Sequence, residues 1–235
     1  MTGPGFTVFD HDPRIARWAE AALEVARRLD LMPRRHGGTW FVGVDALPND
    51  PDGTIAGVPL AGPWSVTGPW HQAQLSVVFP SYPGRDPDES EAAHRFRRDR
   101  DAAHVDGLLP EGPSRRRHLR EPHKFILGIP LNDIAQSPLV VWEASHELMG
   151  QAFEKAFRGL PPREWGDVDI TEIYQTARRA AFDQCPRKTI HMRPGQAVLL
   201  HRHLLHGVAP WDGATADEGR MVAYFRPQGR FEDWI

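Results

Sequence analysis

The chain has 235 residues, of which 40% are hydrophobic and 25% charged, with 8 Trp and 11 Phe; this is ample for a sizeable core and excludes an intrinsically disordered chain. The 28 basic and 31 acidic side chains leave a net charge of -3, without the basic excess that a phosphate-tracking surface needs, so nucleic acid is not an expected partner. The single cysteine, Cys185, can form neither an internal disulfide nor a cysteine-based metal cage. No apolar run approaches the roughly 20 residues of a membrane span and no leader pattern opens the chain, so no membrane association and a cytoplasmic location are expected.

The clearest helix runs from 13 to 31, with Asp12 as N-cap, Pro13 in the first position, and Ile15, Trp18, Ala22, Val25 and Leu29 along one face. Thr39 to Val44 predicts a short strand. The stretch 46 to 70 is dense in Pro, Gly and Trp and reads as a long ordered loop whose Trp64 and Trp70 could line a pocket. A strand is predicted at 72 to 79 and a charged helix at 88 to 100. Beyond Ala102 come short apolar runs between turn signals, at 102 to 106, 124 to 131, 138 to 142, 188 to 193, 196 to 202, 204 to 209 and 220 to 226, which read as strands. Helices interrupt them at 145 to 159 and 170 to 184, the second with Asp169 and Glu172 at capping-box spacing. With 22 Pro and 21 Gly at no fixed period, the order fits one domain over 1–235: an N-terminal helix and loop region over about 1–70 and a β-barrel core over about 72–228, with helices packed outside.

Twelve histidines are many for this length, and metal binding is the first hypothesis such enrichment suggests. His104-Val105-Asp106 sets an imidazole and a carboxylate at i and i+2, on one face of a strand or its end. Alone, that spacing carries little. A hundred residues on, an apolar strand runs into His206-Gly207, and Arg220 opens the run RMVAYF. Two histidines and one carboxylate on one side of iron(II) leave three coordination positions open. A 2-oxoglutarate molecule could fill two and dioxygen the third, while Arg220 offers a fixed charged fork for the keto acid's remote carboxylate.

These features together resemble the phytanoyl-CoA dioxygenase-like iron(II)- and 2-oxoglutarate-dependent oxygenases. The resemblance covers about residues 72 to 228: LGIPLNDIAQSPLVVWEASHE is similar to the family's strand, acidic turn, strand and small-Ser-His element, and RMVAYFRP to its closing strand. It implies a mainly β fold, the double-stranded β-helix (a jelly-roll, cupin-like barrel). It also implies His104, Asp106 and His206 as iron(II) ligands, Arg220 as the 2-oxoglutarate arginine, and a small-molecule substrate hydroxylated with release of succinate and carbon dioxide. The chain departs from the family at Glu143-Ala144-Ser145-His146, where Pro-Gly-Ser-His is usual, and at Val208, where a small hydroxyl residue is usual. The insertion before Arg220, with Asp212, Gly213, Asp217 and Glu218, is also long.

Several alternatives stand beside this reading. Arg226 could take the role of Arg220 if the alignment slips. His201 and His203 could bind zinc with His206. Lys124 and Gln74 lie on predicted core strands within reach of 2-oxoglutarate or at its rim; His146 is read as structural; and Arg115, Arg116 and Arg117 form either a solvated loop or a face for an anionic substrate. A non-catalytic β-barrel binding protein is the rival of another class, and a related halogenase is disfavoured because Asp106 fills the position chloride would need. Substrate identity and oligomeric state are not legible in the sequence.

Overall fold

The computed structural model describes residues 3–213 and 218–235, so Asp217 lies outside the described residues. In chain order the elements are β1 (Phe6–Phe9), α1 (Pro13–Ala26), β2 (Arg34–Arg35), β3 (Trp40–Leu47), β4 (Ala73–Val78), α2 (Glu91–Asp99), β5 (Leu108–Glu111) and β6 (Arg116–Leu119). They continue with β7 (Phe125–Pro130), β8 (Leu139–Trp142), α3 (Ser145–Phe157), α4 (Thr171–Gln184), β9 (Arg187–Ile190), β10 (Ala197–His201), β11 (His206–Val208) and β12 (Arg220–Phe225). The chain is thus mainly sheet with flanking helices.

Seven strands pair in the order β1-β10-β7-β12-β4-β3-β2, three in the order β11-β8-β9, and β5 with β6 as a hairpin. Every pairing is antiparallel. Because side chains alternate across a strand, each strand of the large sheet serves two packing layers. Leu127, Ile129, Leu199, Ala223 and Phe225 point outward and are covered by Ile15, Trp18 and Ala22 of α1. Ile126, Val198, Leu200, Val222 and Tyr224 point inward and meet Leu139, Val141 and Ile190 of the small sheet. Behind the small sheet, Val140 and Trp142 pack on Met149, Phe153, Tyr174 and Ala181 of α3 and α4. Burial on both faces explains why β7, FILGIP, is buried throughout and reads as a continuous apolar run rather than an alternating one.

α1 starts where expected: Asp12 Oδ1 accepts the Arg14 N–H at 2.8 Å and Pro13 needs no donor of its own. It ends at Ala26, short of the expected 31. Trp18 is fully buried, and its indole N–H donates to Gly53 O at 2.8 Å, tying the long loop to the helix. Trp18→Ala removes both the ring and this tie, and urea unfolding should show a loss of about 3 to 5 kcal/mol, the range for emptying a buried aromatic site. A loss under 1 kcal/mol would mean the loop and α1 do not share that core.

Four expectations are corrected. Trp70 meets Phe125 and Phe225 edge-on, with centroids 6.0 and 5.1 Å away, and Trp64 meets Phe9 edge-on at 5.9 Å, so both pack with the core under α1 rather than lining a pocket. The segment of Arg115, Arg116 and Arg117, read as a solvated loop or a substrate face, belongs to the β5–β6 hairpin, with Arg116 and Arg117 on β6. No strand forms over 102 to 106. At α4, Asp169 Oδ1 accepts from the Thr171 N–H (3.0 Å) and hydroxyl (2.6 Å), while Glu172 pairs with Arg116 instead of closing a capping box. No helix among the described residues is long and apolar enough to cross a membrane.

Candidate metal centre

The segment expected to be a strand at 102 to 106 is instead a tight turn clamped onto β11. Asp101 and Ala102 both adopt positive φ (52° and 53°), an uncommon state for non-glycine residues that persists only when the surroundings hold it. The clamp is visible: Arg187 grips the buried Asp101 carboxylate with two hydrogen bonds of 2.8 Å, and Asp101 O accepts the Val208 N–H at 2.8 Å. His104 and His206 then exchange backbone hydrogen bonds of 2.8 and 3.1 Å. Gly207 makes this approach possible, because a Cβ there would sit 2.1 Å from Asp101 O. The His-Gly dipeptide is therefore a packing requirement of the site. On the far side, Ser145 Oγ accepts the Leu205 N–H at 2.9 Å and fixes the chain entering β11.

The result is a convergence of His104, Asp106 and His206, whose ligand atoms all lie within 4.8 Å of one another; among the described residues they are the only such group of three. His104 Nε2 is 3.0 Å from Asp106 Oδ1, and His206 Nε2 is 3.8 Å from Asp106 Oδ2. Adjacent donors on an octahedral ion with bonds of about 2.1 Å stand about 3.0 Å apart, a spacing that His104 and Asp106 already have and that His206 exceeds. Both imidazoles have Nδ1 2.9 Å from a backbone carbonyl, Ala102 O for His104 and Leu204 O for His206. That contact makes Nδ1 the protonated nitrogen and leaves Nε2 as the free lone pair. Burial pushes His206 down to about 4, with Asp106 opposing and His104 adding to the shift, so its lone pair is available at neutral pH. Burial alone would raise the Asp106 carboxyl; the Arg226 charge, with the two histidines beside it, outweighs burial and holds it well below the usual carboxylate range. His104 is the most open of the three, with 43% side-chain exposure against 12% for Asp106 and 8% for His206, which puts the mouth of the site at His104.

Arg220 begins β12 and, by alternation with Val222 and Tyr224, faces the space between the sheets. It is only 6% exposed. Burial pulls its pKa down and the Tyr224 side chain is its polar neighbour; no carboxylate of the described residues acts on it. A buried guanidinium without an anion is costly, so the position fits an anionic ligand from outside the chain. The donor chemistry of the triad and this buried charge, without a carboxylate among the described residues, together fit a ferrous ion with a dicarboxylate cosubstrate.

Arg226, just past β12, does something different from Arg220. Its Nε donates to Asp106 Oδ2 and its Nη1 to Gln74 Oε1 at 2.6 Å. Gln74, directly opposite Tyr224 on β4, thus enters the site through Arg226. This pairing had no signal in the sequence beyond the arginine itself, because it joins residues 120 positions apart.

The remaining candidates fall elsewhere. Lys124 is exposed. His201 and His203 do not join His206: His203 is buried against Trp234 and Phe153 (4.4 and 5.2 Å), and His201 stacks near His146 at 4.8 Å. His146 is buried at the start of α3. Arg116 pairs with Asp169 and Glu172, and Arg117 donates to Leu108 O at 2.8 Å, so these two side chains pin the hairpin and α4, while Arg115 sits exposed in the turn with positive φ.

No family model and no curated protein sequence matches the chain. Among solved structures it is similar to the non-heme alpha ketoglutarate dependent carbocyclase SnoK from nogalamycin biosynthesis, at 15% identity over 95% of this chain and 80% of that one, with a TM-score of 0.47. It is similar to the epimerase SnoN in complex with Fe3+, alpha ketoglutarate and nogalamycin RO, at 15% identity over 95% and 79% of the two chains and a TM-score of 0.47. A third is EctD from S. alaskensis with 2-oxoglutarate and 5-hydroxyectoine, at 16% identity over 94% and 71% and a TM-score of 0.42.

Proposed function

We propose that the chain is an iron(II)- and 2-oxoglutarate-dependent dioxygenase, built as a double-stranded β-helix and hydroxylating a small organic molecule. The observation that carries this reading is the convergence of two imidazoles and one carboxylate on one side of a common point, the donor set that leaves three positions of a ferrous ion open. The buried Arg220, with no carboxylate acting on it among the described residues, supports it. When bound, iron and the keto acid supply the oxidation: dioxygen gives one atom to the substrate C–H bond and one to 2-oxoglutarate, which leaves as succinate and carbon dioxide. The protein's part is placement. His104, Asp106 and His206 hold the metal, Arg220 receives the remote carboxylate as a bidentate pair, and the apolar inner faces of Ile126, Val198, Leu200 and Val222 keep water from the space between the sheets.

With iron(II), 2-oxoglutarate and ascorbate, the protein should release succinate slowly without substrate, with no dependence on chloride or bromide, because Asp106 occupies the position a halide would need. A chlorinated product, or succinate release that requires chloride, would replace the hydroxylase reading with halogenation. No succinate in the presence of a panel of substrates, with both iron and keto acid demonstrably bound, would favour a binding protein.

A further inference from the structure

Both oxygens of Asp106 face the histidine donors, Oδ1 at 3.0 Å from His104 Nε2 and Oδ2 at 3.8 Å from His206 Nε2. Nothing in the placement of the carboxylate itself decides whether one oxygen or both would meet a metal. What distinguishes them is Arg226, which donates from Nε to Oδ2 only. Its guanidinium is held from several directions: Nη1 donates to Gln74 Oε1 at 2.6 Å, and the guanidinium carbon lies 5.1 Å from the centroid of the Tyr224 ring. The backbone N–H of Arg226 donates to His71 Nε2 at 2.6 Å. The His71 ring is oriented in turn by Nδ1, which lies 2.5 Å from Gln72 O and 3.4 Å from Asp45 Oδ1. The side chain is 17% exposed.

We propose that Arg226 is a positioning residue that confines Asp106 to a single metal-binding oxygen and so keeps the third coordination position open. The inference rests on the metal reading above. An oxygen that accepts a charge-assisted hydrogen bond has given part of its electron density to that bond, so Oδ1 becomes the better ligand. The consequence is arithmetical. On a six-coordinate ion, two imidazoles and one oxygen leave three positions; a chelating carboxylate leaves two, and a bidentate keto acid fills both. Arg226 therefore touches no metal, yet decides whether dioxygen has a position to enter. Its commitment to Asp106 and Gln74 also separates it from Arg220, which has Tyr224 as its polar neighbour and no carboxylate acting on it among the described residues.

The test uses the full chain loaded with Mn(II), reading metal-bound exchangeable water by solvent-proton relaxation and metal affinity by chelator competition. The wild-type protein should carry about three such waters, and about one after 2-oxoglutarate is added. Arg226→Met, which keeps length but removes the donors, should carry about two and then none, a fall of roughly a third in the first case. Arg226→Lys retains a charged donor and should return most of the lost hydration. Gln74→Leu releases the guanidinium without removing it and should give an intermediate value, so the measurement stands even if the methionine variant does not fold. Wild-type hydration in Arg226→Met at saturating Mn(II) overturns the proposal. So does unchanged hydration with 2-oxoglutarate binding weakened a hundredfold, which would make Arg226 the cosubstrate's partner instead. Failure of the wild-type chain to bind Mn(II) at all sinks the metal reading, and the proposed role of Arg226 falls with it. That outcome is distinct from normal Mn(II) binding with unchanged hydration, which overturns the role of Arg226 alone.

Discussion

Replacing His206 or Asp106 by alanine should abolish the weak visible charge-transfer band that anaerobic iron(II) and 2-oxoglutarate give when the keto acid chelates the metal. Loss of an outer partner of a metal ligand typically costs 10- to 100-fold in affinity, so loss of a ligand itself should weaken iron(II) binding by more than about 100-fold. The two sites differ in what remains. His206→Ala empties a buried position whose Nε2 was the free lone pair. Asp106→Ala removes the carboxylate and leaves Arg226 with Gln74 alone. Ligand binding to the native state alone raises thermal stability by mass action, so the wild-type protein should melt at a higher temperature with iron(II) under anaerobic conditions, and neither variant should. An unchanged band in both variants would remove these residues from the ligand set.

Arg220→Met should weaken 2-oxoglutarate by about a hundredfold or more, since truncating one partner of a buried charge pair costs on the order of 2 to 5 kcal/mol and each 1.4 kcal/mol is tenfold. The stability of the protein without ligands should move the other way or stay constant. Arg220 is buried with no carboxylate partner among the described residues, and replacing a charge of that kind with an apolar chain of similar length relieves a desolvation cost. A cosubstrate-binding arginine and a structural one thus give opposite results in the ligand-free protein. If Arg220→Met instead unfolds readily while the keto acid's affinity among folded molecules is unchanged, Arg220 is structural and the anion sits elsewhere.

The double role of β12 shows why part of this site was readable and part was not. His104 and Asp106 stand two residues apart, and Arg220 opens an apolar run, so their residue types and spacing are local properties of the chain. His206 also announced itself through Gly207, although the physical reason, contact with Asp101 O, belongs to the packed molecule. The clamp that sets His104 was not local. Its bonds run from Arg187 to Asp101 and from Val208 to Asp101, across 86 and 107 positions, and they replaced an expected strand with a turn at positive φ.

Periodicity alone determined most of the strands and all four helices to within a few residues, because the apolar runs are long enough to require burial on at least one face. The same periodicity could not place the β5–β6 hairpin, which is rich in arginine and proline and is held by Arg116, Arg117 and α4 rather than by its own apolar alternation. Nor could it show that Trp64 and Trp70 lie under α1, since an indole in a Pro- and Gly-rich loop reads equally well as pocket or core. The residue types for a metal and an anion were determined by the sequence itself. Which arginine is left without a carboxylate among the described residues and which one grips Asp106 was decided only by the tertiary structure, because two guanidiniums six residues apart, one opening β12 and one just past its end, are chemically identical until their neighbours are known.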